Sequence, residues 1–206
     1  MSKSFHPLVA ALLLSAATQA VAASSVDLSV RGLITPSACV PEISNAGVYD
    51  IGKISAKDLN VETYTRLDPH NMQLKVTCEA ATLLALQPKD NRPGTAFRDE
   101  GGFGLGLING DEKLGAFWVT LASAVADGAS AEIIESLDGG STWIRGGYLA
   151  TDSIASVAEN ATLVPTPVQT LSMEMTVKVI IAPTNTLTLT QEVPIDGSAT
   201  VTVMYL

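Results

Sequence analysis

Apolar and polar positions alternate without a break at the end of the chain. Ala199, Val201, Val203 and Tyr205 fall on one side, and Ser198, Thr200, Thr202 and Met204 on the other. A two-residue period of this kind belongs to a β-strand with one buried face. Asp196-Gly197 marks the turn that leads into it. If one edge of such a strand is unpaired, it presents a row of free N–H and C=O groups and invites a partner strand.

The same period recurs upstream. Val26, Leu28 and Val30 share a face within Ser25–Ile34, and Pro36 just beyond implies a bend or a sheet edge. Met72, Leu74, Val76 and Cys78 share another face. In Leu171–Ile181, Met173, Met175, Val177, Val179 and Ile181 face inward, while Glu174, Thr176 and Lys178 face outward. Leu114–Ser123 predicts a strand holding Phe117, Trp118, Val119 and Leu121. Ala131–Ser136 and Thr142–Leu149 bracket a hairpin turn at Leu137–Ser141. Further strands are expected at Val48–Ile54, at Thr82–Gln87 (ended by Pro88 and the turn residues Asp90–Gly94) and at Thr186–Val193.

Between these lie a loop with Pro41, Asn45 and Gly47, and an irregular stretch Ser55–Pro69 with a helical turn at Ala56–Leu59. Thr151–Pro167, small and polar, is expected to be an exposed loop. Gly101–Gly106 is followed by a turn at Asn109-Gly110-Asp111 and not by a helix, so it reads as a closely packed strand and not as a phosphate cradle. Short strands separated by turns predict an all-β sandwich or barrel.

The first residues change the picture. Lys3, the apolar run Leu8–Ala17 and the small residues Ala20-Val21-Ala22 form the pattern of a cleaved export leader, residues 1–22. The apolar run is too short to span a bilayer, and no second run of membrane length follows, so no membrane insertion of the mature chain is expected. The formal net charge is −9, and loss of Lys3 with the leader makes it more negative. That argues against nucleic acid and anionic membrane surfaces as partners.

Cys39 and Cys78 are the only cysteines. In an exported chain they are expected to pair as a disulfide rather than stay as thiols, a link worth about 4 kcal/mol in the chain-entropy model. A metal site is disfavoured, because His70 is the sole histidine past the leader.

Candidate chemistry is sparse. His70, in Asp68-Pro69-His70-Asn71, has no nucleophile context near it and is expected on a surface loop. Ser136-Leu-Asp138-Gly-Gly140-Ser-Thr142-Trp143 fits the "Asp-box" hairpin, which resembles turns of sialidase-like propellers. Those repeat it once per blade, whereas it occurs once here. Its physical content is a tight hairpin in which the Asp138 carboxylate bonds backbone N–H groups and Trp143 packs beneath. The acid pairs Asp99-Glu100 and Asp111-Glu112 read as solvated loop charge, and Asn160-Ala161-Thr162 matches a glycosylation acceptor. No catalytic residue, metal or cofactor is assigned.

Several features together resemble subunits of chaperone–usher pili. Gly32-Leu-Ile-Thr-Pro-Ser-Ala-Cys39 is similar to the first strand of those pilins. Tyr49-Asp-Ile-Gly52, Leu59 and Met72–Cys78 resemble the stretch up to their second cysteine, and Gly197–Tyr205 resembles their aromatic-closed ending. The middle, Ala80–Thr170, is longer than in ordinary pilins and closer to fimbrial-like exported proteins with an uncharacterised conserved domain.

The resemblance implies an immunoglobulin-like sandwich, residues 32–206, lacking its final strand. It also implies an N-terminal donor extension, residues 23–31, whose Val26, Leu28 and Val30 enter a neighbouring subunit's groove. Burying three such side chains contributes about 5–8 kcal/mol before ordering costs. The acceptor strand would present Ala199, Val201, Val203, Tyr205 and the terminal Leu206. The implied partners are a periplasmic pilus chaperone, which grips the Leu206 carboxylate, an outer-membrane usher and neighbouring pilus subunits. The implied location is the periplasm in transit, then the fimbrium on the cell surface, with a role in adhesion. Two other readings stay open. One is a self-contained periplasmic or fimbrial-tip binding protein using Trp118, Trp143 and Tyr148. The other is a carbohydrate-active enzyme, resting on the Asp-box alone.

Overall fold

The computed structural model describes Ser29, residues 38–98 and residues 100–206. The expected leader and the donor residues Val26, Leu28 and Val30 lie outside the described residues. The compact unit Thr35–Leu206 is all-β, with one disulfide between Cys39 and Cys78.

Its strands in chain order are β1 (Cys39–Ile43), β2 (Thr65–Arg66), β3 (His70–Thr82), β4 (Leu84–Asp90), β5 (Phe103–Gly104), β6 (Leu107–Ile108), β7 (Glu112–Lys113) and β8 (Gly115–Ala126). Then follow β9 (Ala129–Ser130), β10 (Glu132–Ser136), β11 (Ile144–Arg145), β12 (Tyr148–Leu149), β13 (Ile154–Ala158), β14 (Val168–Ile181) and β15 (Ala199–Tyr205). One sheet runs β1-β3-β14-β8-β12, with β2, β5 and β9 on its margins, and the other runs β11-β10-β13-β4-β15. Every ladder between these strands is antiparallel.

Lettered A to F in chain order, β1, β3, β4, β8, β14 and β15 make the arrangement A-B-E-D in one sheet and C-F in the other. That is the immunoglobulin plan, ABED over CFG, with no strand at position G among the described residues. The residues between D and E extend the second sheet past C.

The alternating strands build the core. Met72, Leu74, Val76 and Cys78 of β3 are buried, with exposed residues between them. Leu171, Met173 and Met175 of β14 lie beside them, at Val76, Leu74 and Met72 in register. Leu84 and Leu86 from β4 and Ala155 and Val157 from β13 close the same core from the other sheet.

Several expectations are corrected. Thr151–Pro167 is not all exposed loop: it contains β13, buried along its whole length in the middle of the second sheet. Small residues let it pack on both faces, and Ser156 satisfies its hydroxyl by donating to the Leu84 carbonyl at 2.6 Å. β4 does not stop at Pro88 but runs through it to Asp90, with Pro88 opposite Val201. Pro41 lies in β1 rather than in a loop, on an edge strand where a missing N–H is tolerated.

Val48–Ile54 forms no strand, and neither does Thr186–Val193. In the latter, a carboxylate replaces the ladder: Thr188 donates its N–H and hydroxyl to Glu112, at 2.6 and 2.7 Å. His70 is not on a loop either. It begins β3, and its ring stacks on Tyr49 with centroids 4.3 Å apart. The helical turn at Ala56–Asp58 and the tight β6–β7 turn with Asn109 and Gly110 at positive φ are as expected.

Candidate functional site

β15 is an edge strand. Its seven residues pair with β4 from Ala199↔Asp90 to Tyr205↔Leu84. Its other edge has no strand partner among the described residues. Ala199, Val201 and Val203 pack half-buried on the core, while Thr200 and Thr202 face solvent, as the alternation predicts.

Below the N-terminal half of β15 lies a cavity of about 700 Å³. Ala199 and Val201 form one lip. The floor belongs to the ABED sheet and its margin: Phe103 stacked on Phe117 at 5.0 Å, with Leu149, Met175, Val177 and Val179 around them. Two segments without strand structure make the walls. Tyr49, Ile51 and Ile54 stand on one side, and Leu189, Val193 and Ile195 on the other. Asp50, Lys53 and Glu192 also line it, and Lys53 and Glu192 form an exposed ion pair at 3.3 Å. The cavity is an apolar slot of a size that receives side chains.

Each wall is fastened. Tyr49 donates its hydroxyl to the Asp68 carbonyl at 3.1 Å and stacks on His70. The opposite wall is held by Glu112, which also accepts from Asn109 Nδ2 at 3.0 Å. Those bonds favour the ionised carboxylate and hold its pKa below the ordinary value, the backbone N–H of Thr188 contributing most.

The C-terminal half of β15 is closed differently. Cys39 donates its N–H to the Tyr205 hydroxyl at 3.0 Å, which ties β1 to β15 across the two sheets. A shallow cleft continues between them, lined by Pro41, Ile43, Gln73 and Val201. Tyr205 is 40 % exposed and Leu206 45 %. Leu206 donates its N–H to the Leu83 carbonyl at 3.1 Å.

The five residues expected on the acceptor strand are thus divided. Ala199 and Val201 meet the cavity, Val203 meets the core, and Tyr205 and Leu206 stand at the far end. The walls from 49–54 and 189–195 were not read from sequence as part of a site. Both overlap stretches that read as strands in the sequence, and only the folded chain brings them beside β15.

The Asp-box forms the hairpin its residues predict. Ser136 Oγ donates to Asp138 Oδ1 at 2.7 Å and accepts from the Gly140 N–H at 2.8 Å. Thr142 donates its N–H to Asp138 Oδ1 at 2.8 Å and its hydroxyl to Oδ2 at 2.6 Å. Trp143 Nε1 donates to the Gly140 carbonyl at 3.1 Å. The Thr142 hydroxyl first, then the Thr142 N–H and the Ser136 hydroxyl, lower the Asp138 pKa to about 2. The carboxylate is occupied by the turn itself. A Cβ added to Gly140 would lie 3.8 Å from both Ile154 and Leu206, so the turn sits against the last residue of the chain. Of the expected aromatic anchors, Tyr148 is 58 % exposed, Trp143 half-buried, and Trp118 half-buried with its Nε1–H donated to the Glu100 carbonyl.

Comparison with known proteins places this geometry beside proteins of similar sequence. Residues 28–105 match a family model described as a protein of unknown function (DUF1120). The matched span contains β1 to β5, hence the disulfide and one wall of the cavity. Two proteins of Escherichia coli strain K12 are similar over nearly their whole lengths. "Uncharacterized protein YhcF" is 26 % identical over 226 aligned positions, covering 92 % of this chain and 94 % of that protein. "Protein GltF" is 27 % identical over 248 aligned positions, covering 96 % of each.

Among the described residues, no helix is long and apolar enough to cross a membrane. The disulfide fits an oxidising compartment.

Proposed function

We propose that this protein is a structural subunit of an exported surface fibre, assembled by strand complementation and acting without catalysis. The observation that carries the reading is the edge of β15 that has no strand partner among the described residues and stands over an apolar cavity, at the position where an immunoglobulin sandwich has its last strand. An extended segment laid along β15 satisfies the bare backbone groups and puts alternate side chains into the slot.

The donor is the N-terminal segment Ala23–Arg31 of a second copy, with Val26, Leu28 and Val30 as the inserted residues. A periplasmic chaperone strand occupies the groove first and contacts the Leu206 carboxylate, and an outer-membrane usher mediates the exchange. The fibre on the cell surface then supports adhesion.

A second reading has its own support. The walls 49–54 and 189–195 already narrow the slot, which suits a protein that fills its own groove and works as a monomeric binding protein.

One experiment separates the two. The mature protein carrying Leu28→Asp is mixed with a synthetic Ala23–Arg31 peptide. Under the fibre reading the peptide raises the melting temperature, a Leu28→Asp peptide does not, and Val201→Arg in the acceptor abolishes the effect. A monomer that Leu28→Asp itself destabilises marks a self-filled groove. No response to either the peptide or the substitution would remove strand complementation altogether.

A further inference from the structure

A second, separate surface carries chemistry on the outer face of the ABED sheet. In the antiparallel ladders Trp118 stands opposite Lys178, and Arg66 opposite Ile180. Residues directly opposite share a face, and so do residues two apart on one strand. Lys178, Ile180, Trp118 and Arg66 therefore project together, away from the core on which Val179 and Phe117 pack. Tyr64 joins them. Tyr64 and Trp118 are partly buried against a small cluster of Ala96, Ala116 and Ile180 that is distinct from the main core.

Two guanidinium groups cover the Tyr64 ring, Arg66 at 4.9 Å and Arg98 at 5.7 Å from its centroid. Arg66 also donates to the Tyr64 hydroxyl at 2.6 Å. Arg98 is neutralised by Glu100 at 2.9 Å. Arg66 and Lys178 have no ion-pair partner among the described residues. In a chain of net charge −9, two exposed cations stand together here beside two aromatic rings, an arrangement that attracts an anion.

From these residues we infer that this face is a binding site for a saccharide carrying a carboxylate. The two cations supply the anion's partners. Arg66 is held in place by Tyr64, so little rotational freedom remains to be lost when its planar fork meets a carboxylate. The half-buried indole of Trp118 supplies an apolar edge for the sugar ring, and its orientation is set by the Nε1–H bond to Glu100 and by Gly102, where an added Cβ would lie 2.7 Å from the indole. The chain's net negative charge disfavours polyanions and anionic membranes, so the ligand is a small anion on an otherwise neutral or apolar frame.

The test uses the full mature protein and a glucuronic acid-containing oligosaccharide, with its neutral glucose counterpart and free acetate as controls, followed by titration calorimetry. Saturable binding of the acidic sugar is expected, with weaker binding at raised ionic strength and at least a tenfold preference over the neutral sugar. The double variant Arg66→Gln/Lys178→Gln should lose at least tenfold in affinity while keeping its melting temperature, and Lys178→Arg should keep binding. Equal affinity for the neutral sugar, or for acetate, would overturn the assignment. So would an undiminished affinity in the double variant, or no binding at millimolar sugar.

Discussion

Asp138 shows how one side chain can do entirely local work. The bonds it accepts from Thr142 and Ser136 within the turn hold its pKa near 2, so the folded chain keeps it charged where an unfolded chain protonates it. The sign follows. The stabilisation is fully present above the ordinary value of 3.8 and is lost as pH falls through about 2. Glu112 and Asp127 are depressed as well, Asp127 chiefly by the N–H groups of Thr170 and Gln169, and they add to the same acid limb. Acid titration of the melting temperature should therefore fall between about pH 4 and pH 2. Asp138→Asn should lower it by a few degrees at neutral pH and flatten that limb. An acid limb of unchanged steepness in the variant would show that the turn is not coupled to folding. Ser136, Asp138, Gly140 and Thr142 were readable as a hairpin because every bond spans four residues or fewer. His70 was not readable, because its stacking partner Tyr49 comes from a distant part of the chain.

At the scale of elements, alternation announced the strands with one wet face, β3, β14 and β15. It did not find β13, which is buried on both faces and shows no period, nor did it foresee that Thr186–Val193 would stay outside the sheets. That segment has the composition of a strand but satisfies Thr188 through Glu112, while Thr184 and Asn185 donate their N–H groups to the carbonyls of Asn60 and Val61. Glu112→Ala should therefore free one wall of the cavity without dissolving the sandwich. Hydrogen exchange at the amide of Thr188 and its neighbours should accelerate, while the β3 and β14 amides stay protected. Acceleration spread evenly over the whole chain would instead make Glu112 a general stabiliser.

At the scale of the molecule, the disulfide joins β1 to β3 at its first register pair, Cys39↔Cys78, and spans 39 residues of sequence. Removing it by Cys39→Ala/Cys78→Ala should cost about 4 kcal/mol in equilibrium denaturation. It should also loosen the lip where the Cys39 N–H meets Tyr205, seen as greater exposure of Tyr205. A loss under about 1 kcal/mol would mean that the two sheets hold β1 unaided. By itself the sequence determined the all-β class, the cysteine pair, the Asp-box turn and the faces that β3, β14 and the first half of β15 bury. These depend on a two-residue period or on contacts within a few residues. Only the tertiary structure decided that β15 stands at an edge, that the insertion between D and E widens the opposite side of its sheet, and that the segments 49–54 and 189–195 wall a cavity beside it. Strand order and the neighbours of irregular segments arise from contacts between residues far apart in the chain, and such contacts leave no local pattern to read.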